Sequence, residues 1–155
     1  MCTDKLIVRR PDGPEEKGDC INIFTQSEPW KTLKMGKSYI SDVLTNPLNE
    51  VYVLDIAGKI AGVIIIQLQG PFPGYIKSVA IGTEWRGQGL GKTLLEYAEK
   101  RIFKDFPNVF LCVSSFNKGA QAFYQRMGYQ QVGEIADYVI EGASELLMRK
   151  KRPNG

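Results

Sequence analysis

The octapeptide Arg86-Gly87-Gln88-Gly89-Leu90-Gly91-Lys92-Thr93 sets three glycines at alternate positions immediately before an apolar helical pattern. Glycines in such a place let backbone N–H groups converge at a helix N-terminus, where the helix dipole also attracts anions. Spacing decides which anion. The triphosphatase loop G-x-x-x-x-G-K-[ST] would end on Gly91-Lys92-Thr93, but it needs glycine at position 86, which is arginine. The dinucleotide fingerprint G-x-G-x-x-G fits Gly87 and Gly89 but needs glycine at 92, which is lysine. The chain has no histidine, which removes Ser-His and Cys-His nucleophiles and every His-based metal site. Cys2, Cys20 and Cys112 are an odd number at unrelated spacings without a C-x-x-C pair, and they read as reduced thiols. Cys112 lies in an apolar run that should raise its pKa, so it reads as a buried core thiol rather than an acyl carrier.

The elements that must position these residues follow from periodicity. LIVRR at 6–10 reads as a strand, Asp19 to Gln26 and Met35 to Thr45 as helices, and the SEPW stretch (27–30) as the connection between them. EVYVLDI and KIAGVIIIQL flank Ala57-Gly58 as a hairpin. After the Gly70–Gly74 loop, YIKSVAIG (75–82) is a strand that runs into the glycine stretch. Leu94, Leu95, Ala98 and Ile102 form one apolar stripe of the following helix, and VFLCVSS (109–115) is a buried-type strand. Strand, helix and strand therefore make a βαβ crossover in mid-chain. A helix capped by Asn117 and stopped by Gly128 comes next, then two strands at about 129–140 and 144–150.

At 155 residues, 43% apolar and 24% charged, the chain suits one compact domain over residues 1–150, with 151–155 a flexible C-terminal tail. Lys150-Lys151-Arg152 reads as solvated. The start lacks the pattern of a secretory signal and no apolar run approaches the length of a membrane span, so the expected location is the cytoplasm. A net charge of +3 with scattered cations does not describe a nucleic-acid surface.

Read as R-x-x-G-x-G, the stretch Arg86, Gly89, Gly91 resembles motif A of the GNAT acetyltransferases, with SVAIGTEW before it and KTLLEYAEKRI after it similar to that family's strand and helix. NKGAQAFYQRMGY (117–129) resembles motif B, N-x-x-A-x-x-F-Y-x-x-x-G-[FY], with Asn117, Ala120, Phe123, Tyr124, Gly128 and Tyr129 on pattern. Two motifs in order, one helix and one strand apart, are far more specific than either alone. The resemblance implies an α+β fold: a mixed, mostly antiparallel sheet of about six to seven strands, about four helices and the central βαβ unit. It also implies an N-acetyltransferase that takes the acetyl group from acetyl-CoA, by direct attack in a ternary complex, to a primary amine of a small molecule or a protein. Expected partners are acetyl-CoA (coenzyme A) and the amine acceptor, without nucleic acid, membrane or metal; a homodimer is left open.

Carried over residue by residue, the resemblance assigns cofactor contacts to Val79, Ala80, Ile81, Arg86, Gly87, Gln88, Gly89, Leu90, Gly91, Lys92, Asn117, Phe123 and Tyr124. Backbone N–H groups around Val79 and Ile81 would align the thioester. Arg86 and Lys92 would help neutralise the diphosphate. Tyr124 falls at the family's general-acid position, a phenol of pKa about 10 donating to a thiolate whose thiol has pKa about 8.5. Glu28, Trp30 and Tyr138 fall in regions that border the acceptor pocket. Lys77 stands where many relatives carry a glutamate base, and lysine cannot replace it at neutral pH. The remaining base candidates are Glu28, Glu84, Asp137, Glu145 or a water, which Ser114 and Ser115 could orient. Lys77 also keeps open a second reading, a non-catalytic acyl-CoA binding or sensing module.

Overall fold

The computed structural model describes residues 5–154. Seven strands form one sheet: β1 (Leu6–Arg9), β2 (Asn49–Ile56), β3 (Lys59–Gln67), β4 (Tyr75–Ile81), β5 (Asn108–Ser114), β6 (Gln130–Ala136) and β7 (Ser144–Lys151). Their spatial order is β1-β2-β3-β4-β5-β7-β6. Every pairing is antiparallel except β4 with β5. Four α-helices accompany it: α1 (Gly13–Thr25), α2 (Lys37–Thr45), α3 (Leu90–Phe103) and α4 (Lys118–Arg126). The α+β architecture expected from the sequence is met, with α3 as the crossover between the two parallel strands.

The sheet is covered on both faces where it is most apolar. Tyr52, Leu54, Ile64 and Ile66 pack with Leu94, Leu95, Ala98 and Ile102 of α3. The alternate residues Val51, Val53, Val63 and Ile65 pack with Cys20, Ile23 and Phe24 of α1 and Ile40 and Val43 of α2. Double coverage explains why β3 reads as an unbroken apolar run, because both of its faces are interior. Ala57 (φ 52°) and Gly58 (φ 88°) form the β2–β3 turn, whose paired positive φ values suit the right-handed twist of a hairpin.

Three boundaries differ from the sequence reading. Helix α1 begins at Gly13, because Pro14 stands in its first turn, where a missing N–H costs nothing. β6 ends at Ala136 rather than near 140, since Asp137 takes φ 53° and its carboxylate accepts from Gly142 N at 2.7 Å, turning the chain. Lys150 and Lys151 are not tail residues: both lie in β7, and Lys150 Nζ reaches the buried Glu99 at 2.9 Å. Arg152 follows with its N–H on Pro107 O at 2.8 Å. Cys2 lies outside the described residues.

Candidate active site

β4 and β5 pair at Tyr75↔Phe110 and Ile76↔Leu111 and then diverge. One cause is visible in β4. Ile65 and Ile66 of β3 face Ser78 and Ile76, so Lys77 is an extra, unpaired residue. Such a bulge bends a strand and shifts which face later side chains occupy. Accordingly Ile76 packs toward α3 with Val79 and Ile81, two odd-numbered residues, whereas Ala80 packs toward α1. Gly82 N donates to Ala61 O of β3 at 2.8 Å. By the alternation of an antiparallel ladder, Val79 and Ile81 therefore turn their amides toward the gap.

The glycine loop closes the far end of β4. A 3-10 turn (Thr83–Trp85) leads to Gly87 and Gly89, both at φ 78° in the left-handed region. Gly89 is the N-cap of α3, which has no side-chain cap and no acidic residue in its first turn. The amides of Leu90, Gly91 and Lys92 thus begin a helix with nothing supplied to neutralise its positive end. The Leu90 side chain itself is core. A Cβ on Gly89 would meet nothing within 4 Å, so the approach to these amides is open. The Arg86 guanidinium, expected to face a diphosphate, is spent on structure. Its Nε donates to Ile81 O (3.1 Å), and its Nη2 donates to Gln26 O (3.2 Å) and Ser27 Oγ (3.0 Å). It lies at the negative end of α1 and ties the loop there. Lys92, its side chain 64% exposed, makes a loose 3.8 Å pair with Glu96.

The diverging strands open a cleft of about 480 Å³. Val79, Asn117, Ala120 and Tyr124 line one part of it. Asn117 caps α4 through Oδ1, accepting from Ala120 N at 3.2 Å, which leaves its amide donors free. Phe123, further along α4, comes within 3.6 Å of where a Gly91 Cβ would stand. Loop and helix α4 therefore adjoin. Tyr124 is 8% exposed, and burial alone raises its phenol above the ordinary value, with no hydrogen-bond partner among the described residues. It enters the cleft as a protonated donor.

The acidic candidates separate. Glu84 and Asp137 are outside the cleft: Glu84 lies exposed on the 3-10 turn, and Asp137 holds its own turn. Glu28 lines the cleft but accepts from Thr32 N at 3.1 Å. Glu145 lines it with Oε1 accepting from Ser114 Oγ at 2.6 Å. Ser115 is engaged elsewhere, its Oγ accepting from Ser144 N. Trp30 is chiefly core, stacked near Phe24 (5.2 Å) and Tyr39 (5.9 Å), with an edge on the cleft. Tyr138 is 66% exposed at the rim.

Cys112 corrects an expectation. It is half-buried on the cleft wall, not in the core, because the covered face of β5 is the one carrying Val109, Leu111 and Val113. Burial still raises its pKa, and the Tyr75 hydroxyl is its neighbour. Residues not foreseen from sequence also line the cleft, among them Gln67, Gln69, Phe72 and Tyr75. Phe72 had a signal: it is the aromatic within a Gly/Pro loop that otherwise has nothing to bury.

Residues 18–129 match the Acetyltransferase (GNAT) family. A segment of 108 residues is 35% identical to an uncharacterised N-acetyltransferase of Methanocaldococcus jannaschii, covering 68% of this chain and 69% of that protein. Among solved structures, the ribosomal-protein-S18-alanine N-acetyltransferase of Escherichia coli superposes with TM-score 0.77 at 16% identity, over 97% of this chain and 96% of that one. An aminoglycoside 6'-N-acetyltransferase complexed with coenzyme A superposes with TM-score 0.75 at 17% identity, over 96% and 99%. The splayed parallel pair, the uncapped helix behind it and this match over most of the sequence agree, and the chain belongs to the GNAT family of N-acetyltransferases.

Proposed function

We propose that the chain transfers an acetyl group from acetyl-CoA to a primary amine by direct attack in a ternary complex. The observation that carries this reading is that the Tyr124 hydroxyl, without a hydrogen-bond partner among the described residues, opens on the gap between β4 and β5, while its neighbour Phe123 reaches the uncapped start of α3 at Gly91. The residues suit the cofactor. Open amides at 90–92 fit a diphosphate, Lys92 adds a mobile cation, and the Val79 and Ile81 amides offer a strand-like edge to an extended amide-bearing arm. The same amides can polarise a thioester carbonyl as negative charge develops on it. Tyr124, kept protonated by burial, donates to the departing thiolate. Arg86 fixes the loop rather than meeting the phosphates. The structural relative bound to coenzyme A supports this choice of donor.

Calorimetry with acetyl-CoA tests the loop, and a thiol-release assay over a panel of amines tests transfer. Gly89→Val should weaken acetyl-CoA binding at least tenfold, since a β-branched residue at φ 78° is strained and its methyls would enter the anion's path. Absence of acetyl-CoA binding by the unaltered protein overturns the reading. Binding without thiol release from any amine would favour a sensing module.

A further inference from the structure

Three charges line the cleft and are not used by the chemistry above: Glu28, which accepts from its own loop at Thr32 N (3.1 Å), and Lys77 and Glu145. Lys77, the bulge residue of β4, is half-buried, lines the cleft and makes no ion pair among the described residues. Glu145, at the start of β7, lines the same cleft and is oriented by the 2.6 Å bond from Ser114. The Ser114↔Glu145 register pair places it at the open end of β5, and its charge is felt by both Tyr75 and Cys112. Between them the rim is apolar, with Phe72 and Val139 each about two-fifths exposed and Tyr138 more so.

A cation and an anion that face one cleft without meeting each other are each partly dehydrated with no opposite charge to compensate them, Glu145 having only the neutral Ser114 hydroxyl. A ligand bearing both complementary charges compensates both at once, and complementary placement also fixes which end enters first. Resting on the acetyl-transfer reading, we propose that the acceptor is a small amine carrying an anionic group a few atoms away: Glu145 receives its ammonium, Lys77 its anion, and Phe72 and Tyr138 its apolar remainder. In this arrangement one proton passes from the ammonium to Glu145 and later to water. The neutral nitrogen bonds to the thioester carbon, and the C–S bond breaks. Tyr124 gives its proton to the leaving sulfur and regains the second proton that the nitrogen sheds. Acetamide, thiol and one released proton account for every atom.

Carboxylate and phosphate are two sources of that anion, and the assay separates them. Thiol release is measured with phenylalanine and leucine, their amides, phenethylamine, O-phosphoethanolamine and a phenylalanyl dipeptide. One anionic class should exceed the amides and phenethylamine by at least thirtyfold in kcat/KM. Lys77→Met should erase that preference through KM, while Lys77→Arg retains most of it. Glu145→Gln should lower kcat with every amine. Calorimetry of the preferred acceptor onto enzyme saturated with coenzyme A should show about tenfold weaker binding in Lys77→Met. Both lysine variants replace an unpaired side chain, and circular dichroism verifies their folding. Equal turnover of acids and amides, preference for the dipeptide, or an unchanged preference in Lys77→Met overturns this inference while leaving acetyl transfer intact. Silence with every amine overturns the transfer reading and the inference with it.

Discussion

Tyr124 illustrates what a single side chain gains from its surroundings. Burial raises its pKa. A raised pKa keeps the acid form present at every pH below it, so loss of the proton donor cannot produce an alkaline limb near the ordinary tyrosine value of about 10. The pH profile of kcat in the native protein should stay flat through that region, as steady-state thiol release will show. Tyr124→Phe should lower kcat by about 10²-fold or more, the usual worth of a positioned acid, with acetyl-CoA affinity within about threefold by calorimetry. Equal turnover in the variant removes Tyr124 as the donor. The tyrosine was legible in the sequence because N-x-x-A-x-x-F-Y carries it at fixed spacing. Arg86 was legible as a residue but not in its contacts: two of its three partners, Gln26 and Ser27, lie some 60 positions away in sequence, and local spacing says nothing about such a reach.

At the scale of elements, α4 depends on its cap. Asn117→Ala should cost about 1 kcal/mol by losing the bond to Ala120 N, read as a lower midpoint in urea. Asn117→Asp retains the accepting oxygen and removes the amide donors. It should restore stability, and any loss of acetyl-CoA affinity that persists in it belongs to a cofactor contact. The helices and the hairpin were readable because periodicity and turn residues are local. The bulge at Lys77 was not, since the polar pair Lys77-Ser78 breaks the alternation of YIKSVAI without saying which residue is extra, and only register against β3 identifies it. Glu145 and Ser114 became a pair through β5–β7 register in the same way. Cys112 was misplaced for a related reason: a run such as VFLCV shows that one face is buried but not that helices leave the other face of β5 uncovered.

Across the molecule, polar clusters tie separate elements together. Glu99 on α3, 9% exposed at its side chain, binds Lys150 of β7 at 2.9 Å and accepts from Tyr129 Oη at 2.8 Å. Lys150→Met leaves that carboxylate buried with one partner fewer and should cost about 3 kcal/mol, whereas the double variant with Glu99→Gln should recover much of the loss, measured by chemical denaturation. At the opposite edge, Arg9 of β1 grips Glu16 of α1 at 2.7 Å. That bond first, and the Asp12 N–H next, lower the Glu16 pKa from 4.5 to about 2. A depressed carboxylate pKa contributes stability above the unfolded value and loses it as pH falls through the folded one. The melting temperature should therefore decline between about pH 4.5 and 2, and Arg9→Met should flatten that interval. The sheet's centre behaves differently, because two residue pairs join β4 to β5 before they part. Its two halves meet in a short seam, and the amides along the opening are those a strand would ordinarily satisfy. On the acetyl-transfer proposal, a ligand seated there would complete the sheet as a removable eighth strand. At a hundred times its dissociation constant it would add about 2.7 kcal/mol to the folding free energy, which would tie the stability of this protein to the supply of the molecule it consumes.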